Sequence, residues 1–310
     1  MKRKITYKNR EDWAKARREG IGASEIAAIM GLSKWATPYE IWERKTQQAE
    51  TEPEVVGDAR WRGHDLEQHV ATWWAAETGR TIDESTIEDY TLVDDERPYM
   101  RVSPDREYIV DEATGERGIL ECKTTRLGVS ADDVPLAWLL QLQMNLGVAG
   151  YRRGSLAWLS GSLEYGYIDV EFNPDLFDTI CEVAERFWRE NVQGGVAPAA
   201  VNNDDLTKKY PQSNGEAVEA SEAVIEAIER LKDVKKQIAA LDEVKDELEV
   251  EIKEALGTAE TMKFCDKIVA TWKSATPSKK FNEKRFAAEH PELYESYKEE
   301  KAGTRRFLIK

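Results

Sequence analysis

Apolar residues recur at threes and fours over much of the chain, and the period drops to two in a central block. Arg10 to Arg18 reads as a helix broken by Ile21-Gly22-Ala23-Ser24. Ser24 then has N-cap chemistry for a second helix, Glu25 to Met30, which Gly31 ends. Thr37-Pro38 opens a helix through Lys45, because proline suits the first helical position. Residues 47–56 are polar and read as a loop. From about Asp58 to Thr78, Leu66, Val70, Trp73 and Trp74 share a helical stripe, and Gly79 supplies the stop. The period then changes: Ile82–Leu92 and Met100–Val102 read as extended. Glu107–Val110 reads as a strand, residues 111–115 as a turn, and Gly118–Thr124 as the returning strand. Pro135–Val148 is helical, Ser155–Leu159 and Tyr167–Phe172 are strands, and Asn173-Pro174 starts a helix to about Asn191. Helices, a strand meander, a helix, two strands and a helix describe an α/β core around a mixed sheet, over residues 1–200.

Beyond Gly194-Gly195 and Pro198 the pattern is a linker, 201–216. Val224, Ile228, Leu231, Val234, Ile238, Leu241, Val244, Leu248, Ile252 and Leu256 then mark one long amphipathic helix within 217–257, closed by Gly257. Such a helix packs on a partner helix or subunit, or folds back on its own domain. A small α+β unit follows in 258–310, with strands at Lys267–Lys273 and Arg305–Ile309 and a helix near Phe281–Glu289.

Composition narrows the class. No apolar run approaches the roughly 20 residues of a membrane span, and the basic start Met1-Lys2-Arg3-Lys4 leads into no apolar signal core, so a cytoplasmic location is expected. Three scattered cysteines build no disulfide framework, and three histidines give no zinc spacing. The net charge of −15 argues against a nucleic-acid partner until its distribution is read: residues 1–48 carry +5 and 260–310 carry +4, leaving −24 between. Carboxylates concentrated in the centre are what a divalent-metal site requires. No glycine-rich phosphate loop with a following Lys-Ser/Thr occurs, so ATP is not implied.

The chemistry centres on Ser103-Pro104-Asp105 and Glu121-Cys122-Lys123. Residues two apart in a strand share a face, so Glu121 and Lys123 project together and Cys122 faces the opposite layer. A hairpin through residues 111–117 would bring Asp105 beside Glu121. Two carboxylates there repel, and a divalent cation, magnesium or manganese for hard oxygen donors, removes the repulsion. Carboxylate, carboxylate and lysine are the parts of metal-assisted phosphodiester hydrolysis. Ser24 at a helix start, with Arg17 on the preceding helix, forms a natural anion seat; Arg18 is the alternative arginine.

These motifs together resemble the PD-(D/E)XK nuclease superfamily, and more closely its YqaJ-like viral recombinase, or lambda-exonuclease, branch. The match runs in order from Ile21-Gly22-Ala23-Ser24-Glu25 and Thr37-Pro38-Tyr39-Glu40-Ile41-Trp42 through Gly63-His64-Asp65-Leu66-Glu67 to the Asp105 and Glu121/Lys123 motifs and Gln141-Leu142-Gln143-Met144-Asn145-Leu146. It covers about residues 10–195. The resemblance implies that Asp105, Glu121 and the Cys122 backbone carbonyl ligate metal, and that Lys123 positions the nucleophilic water. Glu67 would bind or orient a second metal or its water, and Gln141 would support the site by hydrogen bonding. Arg17 and Ser24 would take the DNA 5′-phosphate; Asp95 is a further acidic candidate, and His64 adjoins Glu67.

The implied fold is a restriction-endonuclease-like core, a mixed central sheet flanked by helices, followed by the long helix and small unit. The implied activity is Mg2+-dependent 5′→3′ exonuclease digestion of double-stranded DNA ends, with Mn2+ able to substitute. It would leave 3′ overhangs for a single-strand annealing protein in phage-type recombination, in a bacterial host. The resemblance also implies a homo-oligomeric ring, trimer or tetramer. An endonuclease or single-strand exonuclease on the same core, or a non-catalytic DNA-binding scaffold, are the alternatives.

Overall fold

The computed structural model describes residues 2–8, 10–46, 59–84, 90–161, 163–299 and 303–309. The expected loop at 47–56 lies outside them, as do residues 85–89 of the extended stretch before Leu92. The chain divides into two units, Met1–Lys209 and Tyr210–Lys310.

In the first unit, β1 (Lys2–Thr6) and α1 (Arg10–Ala16) precede a 3-10 turn at Arg17–Glu19, then β2 (Ile21–Gly22). A second 3-10 turn, Ala23–Glu25, leads into α2 (Ile26–Ile29), followed by α3 (Pro38–Thr46) and α4 (Ala59–Thr78). The strands β3 (Tyr90–Asp94), β4 (Met100–Val102), β5 (Arg106–Asp111) and β6 (Glu116–Thr124) come next. Then follow α5 (Leu136–Ala149), β7 (Arg153–Leu159), β8 (Tyr165–Glu171) and α6 (Pro174–Arg186).

Two four-stranded sheets result, ordered β1-β3-β4-β2 and β5-β6-β7-β8, each mixed. β2 runs parallel to β4 and β6 parallel to β7, while the other neighbours are antiparallel. A parallel pair needs a long crossover, and α5 supplies it between β6 and β7. Both faces of β6 are covered, and its period of two divides the residues cleanly. Ile119 joins the main core with Leu140, Leu142, Met144 and Leu146 of α5, while Leu120 and Cys122 pack with Val70, Ala71 and Trp74 of α4. α5 is apolar nearly all round because it is buried nearly all round, ending at Gly150 in the left-handed conformation. Gly147 within it leaves room for the Phe177 ring of α6; any side chain there would overlap that ring. This is the mixed α/β architecture that the PD-(D/E)XK resemblance implies.

Several local expectations change. Ser24 is not an N-cap: it sits inside the 3-10 turn, Gly22 holds the cap position, and Glu25 Oε2 accepts from the Gly22 N–H at 2.8 Å. The Ser24 hydroxyl accepts from Arg17 Nη2 instead, and Glu25 makes the reverse bond of a capping box, reaching back to the residue at the cap position. The helix expected to run to Asn191 becomes a π turn at Phe187–Gln193. Within the expected linker, α7 (Asn203–Lys209) docks on the core. Asn202 Oδ1 accepts from Asp205 N at 2.8 Å, and buried Asp205 accepts from Thr37 Oγ1 at 2.9 Å. The polar run Asn202-Asn203-Asp204-Asp205 is therefore helix-capping chemistry rather than loop chemistry.

In the second unit, α8 (Glu222–Leu256) is a single 35-residue helix. β9 (Thr261–Phe264) and β10 (Lys267–Thr271) form a hairpin whose turn, Cys265-Asp266, has positive φ at both residues, 47° and 63°. The helices α9 (Glu283–Glu289) and α10 (Pro291–Ser296) complete it. The strand expected at Arg305–Ile309 does not form; Arg305 Nη1 donates instead to the Tyr210 carbonyl at 3.2 Å. Cys122 and Cys181 are buried and Cys265 is exposed, all as free thiols. Among the described residues no helix is long and apolar enough to cross a membrane.

Candidate active site

The β5–β6 register sets the site. Arg106 pairs with Leu120, so Asp105, one residue before β5, arrives opposite Glu121. Asp105 Oδ2 accepts from the Cys122 N–H at 2.7 Å, which locks the carboxylate against the strand. Glu121, with no solvent exposure, is held from three directions. Lys123 Nζ donates to its Oε1 at 2.5 Å, Gln141 Nε2 donates to the same oxygen, and Asn145 Nδ2 donates to Oε2 at 2.8 Å. Lys123 Nζ also donates to Gln141 Oε1 at 3.0 Å. Gln141 and Asn145 are four apart on α5, so both reach the same carboxylate from one helix face.

Glu67 comes from α4. Its Oε1 pairs with Arg106 Nη1 at 2.5 Å, and Arg106 Nη2 donates to Gln68 Oε1 at 3.0 Å. His64, one turn earlier and mostly exposed, lies 3.9 Å from Glu67 Oε2. Arg17 Nη2 donates to Ser24 Oγ at 3.1 Å, and its guanidinium lies over the Trp13 ring at 4.9 Å. Buried Lys45 supports this corner: its Nζ contacts Glu25 Oε2 at 2.6 Å and donates to the Arg17 carbonyl at 2.7 Å. Burial lowers the Lys45 pKa against the pull of Glu25.

One cavity of about 540 Å³ joins these groups. Trp13, Arg17 and Ser24 line one part, and His64, Glu67, Asp105 and Gln141 line another. Glu121 and Lys123 stand behind Gln141, in direct contact with it. Arg17 rather than Arg18 lines the cavity. Asp95 is not brought to it. It lies exposed past the Asp94 end of β3, whereas the cavity opens at the Tyr90–Thr91 end, and Asp94 Oδ1 holds the turn by accepting from Glu96 N at 2.9 Å.

Electrostatics mark the same place. Burial, then the Asp105 charge, push the Glu121 carboxyl up to about 8. Burial and Asp105 raise Glu67 to about 7, against the pull of Arg106. Burial raises Asp105 as well. Burial alone would discharge Lys123, but the Glu121 and Asp105 carboxylates outweigh it and raise its pKa, so it stays an ammonium at neutral pH. Buried carboxylates that mutually resist ionisation are the arrangement a divalent cation relieves.

The donor set fits such an ion. Asp105 Oδ1 has no hydrogen-bond partner among the described residues, and Glu121 Oε2 accepts one bond where two lone pairs are available. Among the described residues, no cluster of three His, Cys, Asp or Glu forms a ready-made shell, and Glu67 is paired with Arg106. The residues that the sequence reading passed over are Arg106 and Asn145. The i, i+4 relation of Asn145 to Gln141 was the available signal for one; nothing in the pattern around Arg106 distinguished it.

The sequence profile of the YqaJ-like viral recombinase domain matches residues 12–152. YqaJ of Bacillus subtilis (strain 168) is 32% identical over 313 residues, spanning 97% of this chain and 94% of its own length. Among solved structures, an alkaline exonuclease (LHK-Exo) from Laribacter hongkongensis is 18% identical with a TM-score of 0.47, over 64% of this chain and 97% of its own. A phage-related exonuclease from Haemophilus somnus 129PT is 11% identical with a TM-score of 0.41, over 59% of this chain and all of its own. With that identity sustained along nearly its whole length, the chain belongs to the YqaJ-like viral recombinase family.

Proposed function

We propose that this chain is a metal-dependent DNA exonuclease that digests one strand of a duplex from its 5′ end and leaves a 3′ overhang. The observation that carries the reading is the single cavity lined by Asp105, Glu67 and Gln141 on one side and by Arg17 and Ser24 on the other. A strand end with its terminal phosphate on Arg17 would extend the next phosphodiester toward the carboxylates.

Asp105, Glu121 and the Cys122 carbonyl would hold Mg2+, or Mn2+ in its place, with Glu67 serving a second ion or its water. When bound, such an ion acidifies water and polarises the phosphoryl oxygen. Lys123, kept protonated by its carboxylate neighbours, acts as a donor that orients the water or steadies phosphate charge, and not as a base. Gln141 and Asn145 fix the Glu121 carboxylate so that its remaining lone pair keeps one direction. Arg106 keeps Glu67 at the wall. Attack of water oxygen on phosphorus breaks the P–O3′ bond. The released nucleotide carries the new 3′-hydroxyl, and the shortened strand retains a 5′-phosphate for Arg17 in the next cycle.

Digestion of linear duplexes labelled at either end, with magnesium and with a chelator, tests the reading. Magnesium-dependent loss of the 5′ label as mononucleotide supports it. Internal cuts would assign an endonuclease instead, and no digestion of any DNA would leave a binding scaffold. An annealing protein that takes the 3′ strand, and a ring of three or four copies around the duplex, belong to the same reading.

A further inference from the structure

The longest element in the molecule plays no part in the cavity. Over α8, Val224, Leu231, Val234, Ile238, Leu241, Leu248 and Ile252 remain exposed, Leu241 by 69%. Side chains this apolar gain stability only by packing.

Their spacing is a heptad repeat. Val224, Leu231, Ile238, Lys245 and Ile252 recur every seven residues, and Ala227, Val234, Leu241, Leu248 and Ala255 follow each by three. These are the a and d positions of a two-helix seam. The flanking e positions include Lys235, Asp242 and Glu249, and the flanking g positions include Arg230, Gln237 and Glu251. Flanking charges set orientation.

A parallel in-register pair would place Arg230 beside Lys235 of the second copy and stack Lys245 on Lys245, like on like at both places, while Gln237 would meet Asp242 and Val244 would meet Glu249 with no ion pair formed. An antiparallel pair in full overlap reverses this. Ile238 then faces Leu241 and Leu231 faces Leu248, large on large at the centre. Lys235 meets Asp242 of the other copy, and Arg230 meets Glu251, each contact made twice by the two-fold axis. Sliding the antiparallel pair by one heptad sets Asp242 on Asp242 or Lys235 on Lys235. Arg230, Lys235 and Glu251 form no ion pair among the described residues. The exposed apolar surface on two such helices is on the order of the 1,000 Å² that a specific interface needs.

We propose that α8 is the self-association element of this chain, pairing with α8 of a second copy as an antiparallel two-helix coiled coil. The pairing is independent of the nuclease reading: it rests on the second unit alone and links copies in twos whatever contact the first units make.

Charge exchange in the full-length protein tests it. Sedimentation across a dilution series measures the dimerisation constant of the wild type, Arg230→Glu, Glu251→Arg and the double variant. Each single reversal sets two like-charged contacts across the seam and weakens dimerisation about fivefold or more, and the double variant recovers the wild-type constant. In a parallel pair, Arg230→Glu would face Lys235 and tighten association, so tighter binding overturns the orientation. Association unchanged by any of these reversals, or a wild type monomeric throughout, overturns the pairing itself. A second measurement fixes direction. With Cys265→Ser as background, mixing Val224→Cys chains with Ala255→Cys chains under mild oxidation yields a crosslinked heterodimer, whereas Val224→Cys alone yields none. Crosslinking of Val224→Cys with itself means parallel helices.

Discussion

Asn145 is the residue whose replacement reports most directly on how the carboxylate pair is held. It is fully buried, and its Nδ2 gives Glu121 Oε2 a hydrogen bond of 2.8 Å. Asn145→Asp keeps the shape and replaces the donor by a second carboxylate against Glu121. Lys123 already pairs with Glu121, so the introduced carboxylate has no counter-ion of its own, and an uncompensated buried charge destabilises by about 3–5 kcal/mol, a large part of a typical domain's total stability. Asn145→Ala removes only a hydrogen bond to a charged group, about 1.5–3 kcal/mol. The two losses also differ in pH dependence. Burial and Glu121 raise the introduced carboxyl above its unfolded value, so its native stability is intact below that value and declines as pH rises through the folded one. Glu121 itself lies near 8, so the window spans acidic to mildly alkaline pH. Urea unfolding in chelator at about pH 5 and pH 8 measures it: Asn145→Asp recovers most of its loss at the lower pH, whereas Asn145→Ala does not. Equal losses for the two variants at both pH values would refute the account, because Glu121 would then not depend on this bond.

Glu121→Gln and Lys123→Ala should each cut exonuclease turnover by about a hundredfold or more, read by single-turnover digestion in magnesium at a temperature where circular dichroism shows each variant folded; Lys123→Ala also lowers the unfolding midpoint, because it leaves buried Glu121 without its ammonium partner. Comparable activity would remove both from the reaction. Arg17→Ala should slow digestion of 5′-phosphorylated ends about tenfold more than of 5′-hydroxyl ends; equal losses would make Arg17 a general backbone contact. Ending the chain at Lys209 should leave the first unit's thermal midpoint intact, whereas ending it at Ala200 removes α7 and the Thr37–Asp205 bond and should lower that midpoint by several degrees.

The hairpin that carries the candidate site was legible because period-two alternation, a turn and two charged residues two apart can fold in few ways. Glu121 and Lys123 on one face and Cys122 on the other follow from strand geometry alone. The register that sets Asp105 opposite Glu121 depends also on a shift between Ile109 and Asp111, which no local pattern marks; without it Asp105 would fall opposite Cys122. Asn145 was harder to see, since an asparagine in an apolar helix shows its role only once the facing strand is placed. Arg106 and the Lys45–Glu25 pair depend on contacts between elements tens of residues apart, and no local pattern encodes these. Ser24 shows the reverse error. Cap chemistry was present, but the Ser24 hydroxyl accepts from Arg17, and the 3-10 turn has its cap two residues earlier, at Gly22, where Glu25 takes the backbone N–H. In 203–209, density of polar residues resembled a linker because capping and loop sequences use the same amino acids.

Gly147 has a reach larger than its size. By letting the Phe177 ring press into α5, it sets the depth at which that helix lies, and two residues earlier, on the other side of the same helix, Asn145 grips Glu121. The helix acts as a rigid lever between the α6 contact and the carboxylate. A methyl group added at Gly147 would overlap that ring, and the shift of α5 that relieves the overlap would carry Asn145 with it and alter the alignment of Glu121. Inherited changes along α6 would thus surface as changes in chemistry, although no residue of that helix lines the cavity.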